Sequence, residues 1–155
     1  MDSRKPEEFI ILMADDDEED CMLVEEAIRE SGASCSISFV HDGEDLLDYL
    51  YRRKKYADAS SSYPRPHLIL LDLNMPRMGG HEALKTIKKD ASLKNIPVVV
   101  LTTSSAEDDI YGCYDKGVNG YITKPVTFKD LKNAMKSITE YWFEYVNLPP
   151  QGEDE

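Results

Sequence analysis

The sequence predicts a doubly wound α/β fold, a five-stranded parallel sheet with helices on both faces. Three observations carry that expectation. Apolar runs of strand length alternate with segments of helical period along the chain. The runs are apolar at successive positions, as strands covered on both sides must be. Polar and charged residues follow each run directly, and right-handed crossovers would gather them on one edge of the sheet.

Phe9 to Ala14 (FIILMA) is the first strand. Acidic residues follow, then the helical spacing Met22, Leu23, Ala27, Ile28, which Ser31 and Gly32 bring to an end. Cys35 to Val40 (CSISFV) is the second strand, and Asp42 and Gly43 turn the chain into an amphipathic segment around Leu46, Leu47, Leu50 and Tyr51. Residues 52 to 66, RRKKYADASSSYPRP, combine a basic run, small polar residues and two prolines, and read as a helix end and surface loop. Leu68 to Leu71 is the third strand, Ala83, Leu84 and Ile87 mark the third helix, and Pro97 to Leu101 is a valine-rich fourth strand. Asp108 to Lys116 forms a helix closed by Gly117, and Gly120 to Thr123 a short fifth strand. Thr127, with Asp130 three residues on, caps the last helix, whose apolar face runs Leu131, Met135, Ile138, Trp142, Tyr145. One domain at 9–146 is expected, with a tail at 1–8 and an acidic tail at 147–155 that ends in a disordered QGEDE.

With 155 residues the chain suits one globular domain, and 41% hydrophobic with 31% charged residues is a soluble composition. No apolar stretch approaches the roughly 20 residues of a membrane span, and MDSRKPEEF lacks a secretory core, so a cytoplasmic location is expected. A formal charge of −12 argues against general nucleic-acid binding and favours metal cations or basic partner surfaces. Cys21, Cys35 and Cys113 show no C-x-x-C spacing and read as reduced, hydrophobic thiols.

The chemistry collects after the strands. Asp15, Asp16 and Asp17 follow the first, Asp72 and Asn74 the third, Thr102, Thr103 and Ser104 the fourth, and Lys124 the fifth. Open parallel sheets bind their ligands beyond these carboxyl ends. Acids brought together there repel one another unless a cation lies between them. Oxygen ligands with no nearby His or Cys favour Mg2+, or Mn2+ in its place. Asp17, Glu18, Glu19 and Asp20 read more simply as an acidic first helical turn that favours the helix dipole.

An acid pair after the first strand, Asp72 within LILLDLNMPRMGG, Thr102 within VVVLTTS and Lys124-Pro125 within GYITKPV together resemble the receiver domain of two-component response regulators. The basic, serine-rich loop and the YWFEYVNLPP ending further resemble the small stand-alone regulators that partner bacterial phytochrome histidine kinases. The resemblance implies the flavodoxin-like strand order 2-1-3-4-5. It implies that Asp72 takes a phosphoryl group from a sensor histidine kinase, with Mg2+-dependent self-phosphorylation and autodephosphorylation. Asp16 would ligate the metal directly, Asp15 mostly through water, and Asn74 through its backbone carbonyl. Lys124 would supply a second positive charge, turned inward by a cis bond to Pro125. Thr102 and Tyr121 would form the switch, and Asn74 and Ser104 would tune water's access to the acyl phosphate.

Other chemistries fit less well. His41, His67 and His81 do not converge in sequence with a cysteine or serine, and His81-Glu82 lacks the second histidine of a zinc protease, since Lys85 stands there. A flavin protein would need a Ser/Thr/Gly loop where DDDEED stands, and a dehalogenase-like phosphatase a second carboxylate where Asn74 stands. The alternative retained is a metal-dependent phosphohydrolase working through an aspartyl phosphate. Output is expected through protein contacts. The aromatic last helix and the LPP segment suggest a homodimer, and Arg52 to Lys55 a solvated helix end.

Overall fold

A computed structural model of the chain describes residues 8–57 and 62–150. Most of the expected amino-terminal tail, the QGEDE end and part of the serine-rich loop lie outside the described residues.

The chain alternates strictly: β1 (Phe9–Ala14), α1 (Glu18–Ser31), β2 (Cys35–Val40), α2 (Gly43–Tyr51), β3 (Leu68–Leu71), α3 (Gly80–Lys89), β4 (Val98–Thr102), α4 (Glu107–Asp115), β5 (Gly120–Thr123) and α5 (Phe128–Thr139). The five strands form one sheet in the order β2-β1-β3-β4-β5, with every neighbouring pair parallel, as expected. β3 is buried throughout and β1 nearly so, whereas β2 and β5, at the edges, are half-exposed. That gradient explains why CSISFV carries serines and LILL none.

Alternate residues of each strand serve opposite faces. Phe9, Ile11 and Met13 pack with Val24 and Ile28 of α1 and with Leu131, Met135 and Ile138 of α5. Leu12 and Ala14 pack with Leu46 of α2, Leu84 and Ile87 of α3 and Cys113 of α4. Each fully buried leucine or isoleucine contributes about 1.5–3 kcal/mol of transfer free energy, so the two layers hold the sheet and its edge in place.

The caps are local. Asp17 accepts from the Glu19 and Asp20 N–H groups, Asp42 from Asp45 and Thr127 from Asp130, and Gly32 ends α1 at φ 78°. Phase differs in α1, where Cys21, Val24, Ala27 and Ile28 are buried and Met22 and Leu23, expected on the apolar face, are exposed. The basic run pairs internally, Arg53 and Lys54 with Asp48 and Lys55 with Asp45. The loop after it is anchored by Tyr56, whose buried ring meets Tyr49 at 5.0 Å and Tyr63 at 4.8 Å.

The largest departure lies after α5. Glu140–Tyr145 forms a π-helical turn, closed by a bond from the Val146 N–H to the Tyr141 carbonyl. The wider turn breaks the 3.6-residue phase. Phe143, expected to face away, stacks on Phe9 at 5.3 Å, while Tyr145, expected on the apolar face, is 78% exposed. Trp142 is half-buried against the core, as expected, and Leu148 packs there too.

Candidate functional site

The register of the sheet brings the polar residues to one rim. Ala14 pairs with Leu71, and Leu71 with Val100, so Asp15 and Asp72 leave their strands side by side. The ladder runs one step further: the Asp15 N–H donates to the Val40 carbonyl, the Asp72 N–H to Ala14 and the Lys124 N–H to Thr102. These bonds fix the backbone beneath each functional side chain.

Asp72 is 6% exposed. Its Oδ1 accepts from the Thr102 hydroxyl at 2.7 Å and the Asn74 N–H at 3.3 Å, and its Oδ2 from Lys124 Nζ at 3.1 Å. The glycines after it have a steric reason. A Cβ on Gly80 would stand 2.3 Å from the Asp72 carbonyl oxygen, so the amino end of α3 reaches the strand end only through glycine. The loop between β3 and α3 is also tied to α2, by the Gly43 N–H on the Met78 carbonyl and by Arg77 on the buried Asp42.

Asp15 is fully buried; its Oδ1 accepts from the Asp17 N–H at 2.9 Å and its Oδ2 from Lys124 Nζ at 2.7 Å. Burial pushes its carboxyl above the usual range, and the Lys124 contact offsets only part of that. Asp16 is exposed, and one carboxylate oxygen from each of Asp15, Asp16 and Asp72 lies within 4.8 Å of the others. Lys124 Nζ also bonds Asp20 at 2.6 Å. Burial opposes its charge, but the hydrogen bonds to Asp15 and Asp20 and the charge of Asp72 outweigh it and raise its pKa.

Sequence reasoning therefore placed Asp15, Asp16, Asp72, Asn74, Thr102 and Lys124 where the structure brings them together. It missed Asp20, which it read as a helix-dipole residue. No local pattern marks it, because only the fold brings the first turn of α1 beside Lys124. The cis bond implied for Pro125 is absent: no peptide bond among the described residues is cis. Lys124 is turned inward by its ladder bond and its carboxylate partners.

Tyr121 is half-buried beside the rim, and its hydroxyl donates to the Ser104 carbonyl at 2.9 Å. Ser104 Oγ donates in turn to Asp109, whose other oxygen meets His81 Nε2 at 2.9 Å. His81 Nδ1 also lies 3.9 Å from the Cys113 sulfur, a proximity the sequence did not show. It makes no nucleophile, because Cys113 is fully buried and burial pushes its thiol up to about 11. Cys21 and Cys35 are free as expected, their thiols likewise raised by burial.

The donor set fits a hard divalent cation. Among the described residues, the three carboxylates that converge are joined by no histidine or thiolate, and Lys124 bonds to two of the three. No helix among the described residues is long and apolar enough to cross a membrane.

The model of the response regulator receiver domain matches residues 11–136. The probable methanogenesis regulatory protein FilR2 of Methanothrix harundinacea is 40% identical over 141 residues, covering 91% of this chain and 88% of that protein. Response regulator Rcp1 of Synechocystis sp. is 41% identical over 140 residues, covering 90% and 92%, and a solved Mn2+-bound form of Rcp1 superposes with a TM-score of 0.81. The phosphorylated cyanobacterial phytochrome response regulator RcpA is 42% identical, with a TM-score of 0.84 over 92% of this chain and 99% of that one. Receiver domains are phosphoacceptor switches that bind a divalent metal and partner histidine kinases. With sheet order, rim chemistry and relatives in agreement, this chain belongs to the response regulator receiver domain family.

Proposed function

We propose that Asp72 accepts a phosphoryl group from the phosphohistidine of a sensor histidine kinase, of the phytochrome type, and that the chain signals in the cytoplasm by phosphorylation-dependent protein contacts. The observation that carries this reading is Asp72 itself: a carboxylate at a strand end, held by Thr102 and Lys124, with acid oxygens of Asp15 and Asp16 within 4.8 Å. The likeness to RcpA, a cyanobacterial phytochrome response regulator, supports the phytochrome assignment.

An Asp72 oxygen attacks phosphorus and forms the acyl phosphate bond. The P–N bond breaks, and its electron pair leaves with the imidazole, which is neutral or takes a proton from solvent. Positioning and charge neutralisation carry such a transfer. Mg2+ held by Asp15, Asp16, Asp72 and the Asn74 carbonyl would supply charge that screens the attacking carboxylate from the phosphoryl oxygens. Lys124 adds a point charge and a donor. Thr102 gives up its bond to Asp72 and follows the phosphoryl group, and Tyr121 enters the space it leaves. Small phosphodonors react at the same site, and water later hydrolyses the product past Asn74 and Ser104.

The charge of −12 supports output through proteins rather than nucleic acid. Homodimerisation is proposed through Tyr141 and Tyr145, exposed by 57% and 78%. Leu148 of the LPP segment is already packed on its own core. A monomeric sedimentation profile in both phosphorylation states would remove the dimer.

The test is incubation with acetyl phosphate and Mg2+. The expected result is an acid-stable, base-labile adduct on Asp72, absent from Asp72→Asn, with sub-stoichiometric turnover. Sustained turnover of a phosphomonoester would overturn the reading in favour of a phosphohydrolase.

A further inference from the structure

A lysine ammonium has three N–H donors. Lys124 spends them on Asp15 at 2.7 Å, Asp20 at 2.6 Å and Asp72 at 3.1 Å. A phosphoryl oxygen arriving at Asp72 therefore finds no free proton on Lys124, and one acceptor must withdraw. Asp72 carries the incoming group and stays. Asp15 is fully buried, and its other oxygen is tied to the Asp17 N–H, so it cannot turn out into water to free a donor. Asp20 differs on both counts. Its side chain is 33% exposed, and it stands on the first turn of α1, from which it can swing into water.

We propose that Asp20 is a positioning residue that takes the place of a phosphoryl oxygen on Lys124 in the resting chain and is released when Asp72 is phosphorylated. The inference rests on the phosphoacceptor reading above. It gives Asp20 two effects: it holds the ammonium aimed at the rim, and it competes with the phosphoryl group for it. The position is specific. Glu19, beside it in sequence, is exposed and carries the same charge, yet makes no contact with Lys124.

The test uses beryllium trifluoride as the phosphoryl probe, titrated by calorimetry with Mg2+ saturating for each variant. Removing a half-exposed, charge-assisted competitor should tighten probe binding about three- to tenfold in Asp20→Ala, with a smaller gain in Asp20→Asn, which keeps an oxygen acceptor. Glu19→Gln should change it less than twofold. Gain of affinity is a readout that mere damage to α1 would not produce. Unchanged or weaker binding by Asp20→Ala, or an equal gain in Glu19→Gln, overturns the proposal and leaves the phosphoacceptor reading standing. If the parent chain does not bind the probe, or Asp72→Asn binds it equally well, the phosphoacceptor reading itself fails and the role of Asp20 with it.

Discussion

Replacing Asp72 by Asn tests the electrostatics of the rim without any phosphodonor. Asn keeps an oxygen for the Thr102 hydroxyl and the Asn74 N–H, so these two bonds survive. What changes is charge. At an effective dielectric constant of about 20, carboxylate charges no more than 4.8 Å apart repel by at least about 3.5 kcal/mol per pair. Asp72 faces two such neighbours, for a total of about 7 kcal/mol before water's screening of exposed Asp16. Against this stands its attraction to Lys124 at 3.1 Å, about 5 kcal/mol on the same scale. The balance lies between zero and about 2 kcal/mol in favour of the neutral side chain. In chelator, Asp72→Asn should therefore melt at or above the parent temperature, by up to about 8 °C for a domain of this size. Saturating Mg2+ should then raise the parent more than the variant, because only the parent has the full set of acids. Paired thermal and urea denaturation, with chelator and with Mg2+, reads both effects. A loss in chelator near the 3–5 kcal/mol usual when one member of a buried ion pair is removed would refute the reasoning, as would an equal gain from Mg2+ in both proteins.

Three other outcomes follow from the packing. Gly80→Ala puts a Cβ 2.3 Å from the Asp72 carbonyl oxygen and should cost about 1–3 kcal/mol, slowing acetyl-phosphate labelling of Asp72 in a mass-spectrometric time course; parental labelling at parental stability would contradict it. His67 Nδ1 accepts the Ile10 N–H, which requires an unprotonated nitrogen there, and burial lowers its pKa. Its contribution is whole above the unfolded value of about 6.5 and is lost as pH falls below that towards the lower folded value, so the parent Tm should fall more than that of His67→Asn between about pH 7 and pH 5.5. Phe143→Ala should lose about 2 kcal/mol, less than the 3–5 of a fully buried phenylalanine, while Tyr145→Ala should stay within about 0.5 kcal/mol; the reverse ranking in urea denaturation would restore regular helical phase after α5.

What the sequence made legible is what neighbours along the chain decide. An apolar run such as LILL can only be a buried strand, and the carboxylate that follows it can only emerge at the rim, so β3 and Asp72 were readable together. Asp17, Asp42 and Thr127 cap helices through bonds to groups two or three residues away, well within reach of a local pattern. The π-helical turn was not readable, because the 3.6-residue period carries no sign of where an extra residue enters. Only the fit of Phe143 against Phe9, a residue at the far end of the chain, selects it.

Asp15 and Asp20 show the boundary most clearly. Both lie in DDDEED, both bond Lys124 in the folded chain, and a reading by composition assigns the whole run to solvent and helix dipole. Asp15 escapes that reading because it abuts FIILMA, so its burial follows from the strand before it. Nothing adjacent to Asp20 distinguishes it from Glu19. Its distinction arises 104 residues later, where β5 ends beside the first turn of α1 and leaves Lys124 with one donor more than the two buried acids require. Chemistry owed to a chain neighbour is written in sequence; chemistry owed to the spare valence of a distant partner has to wait for the fold.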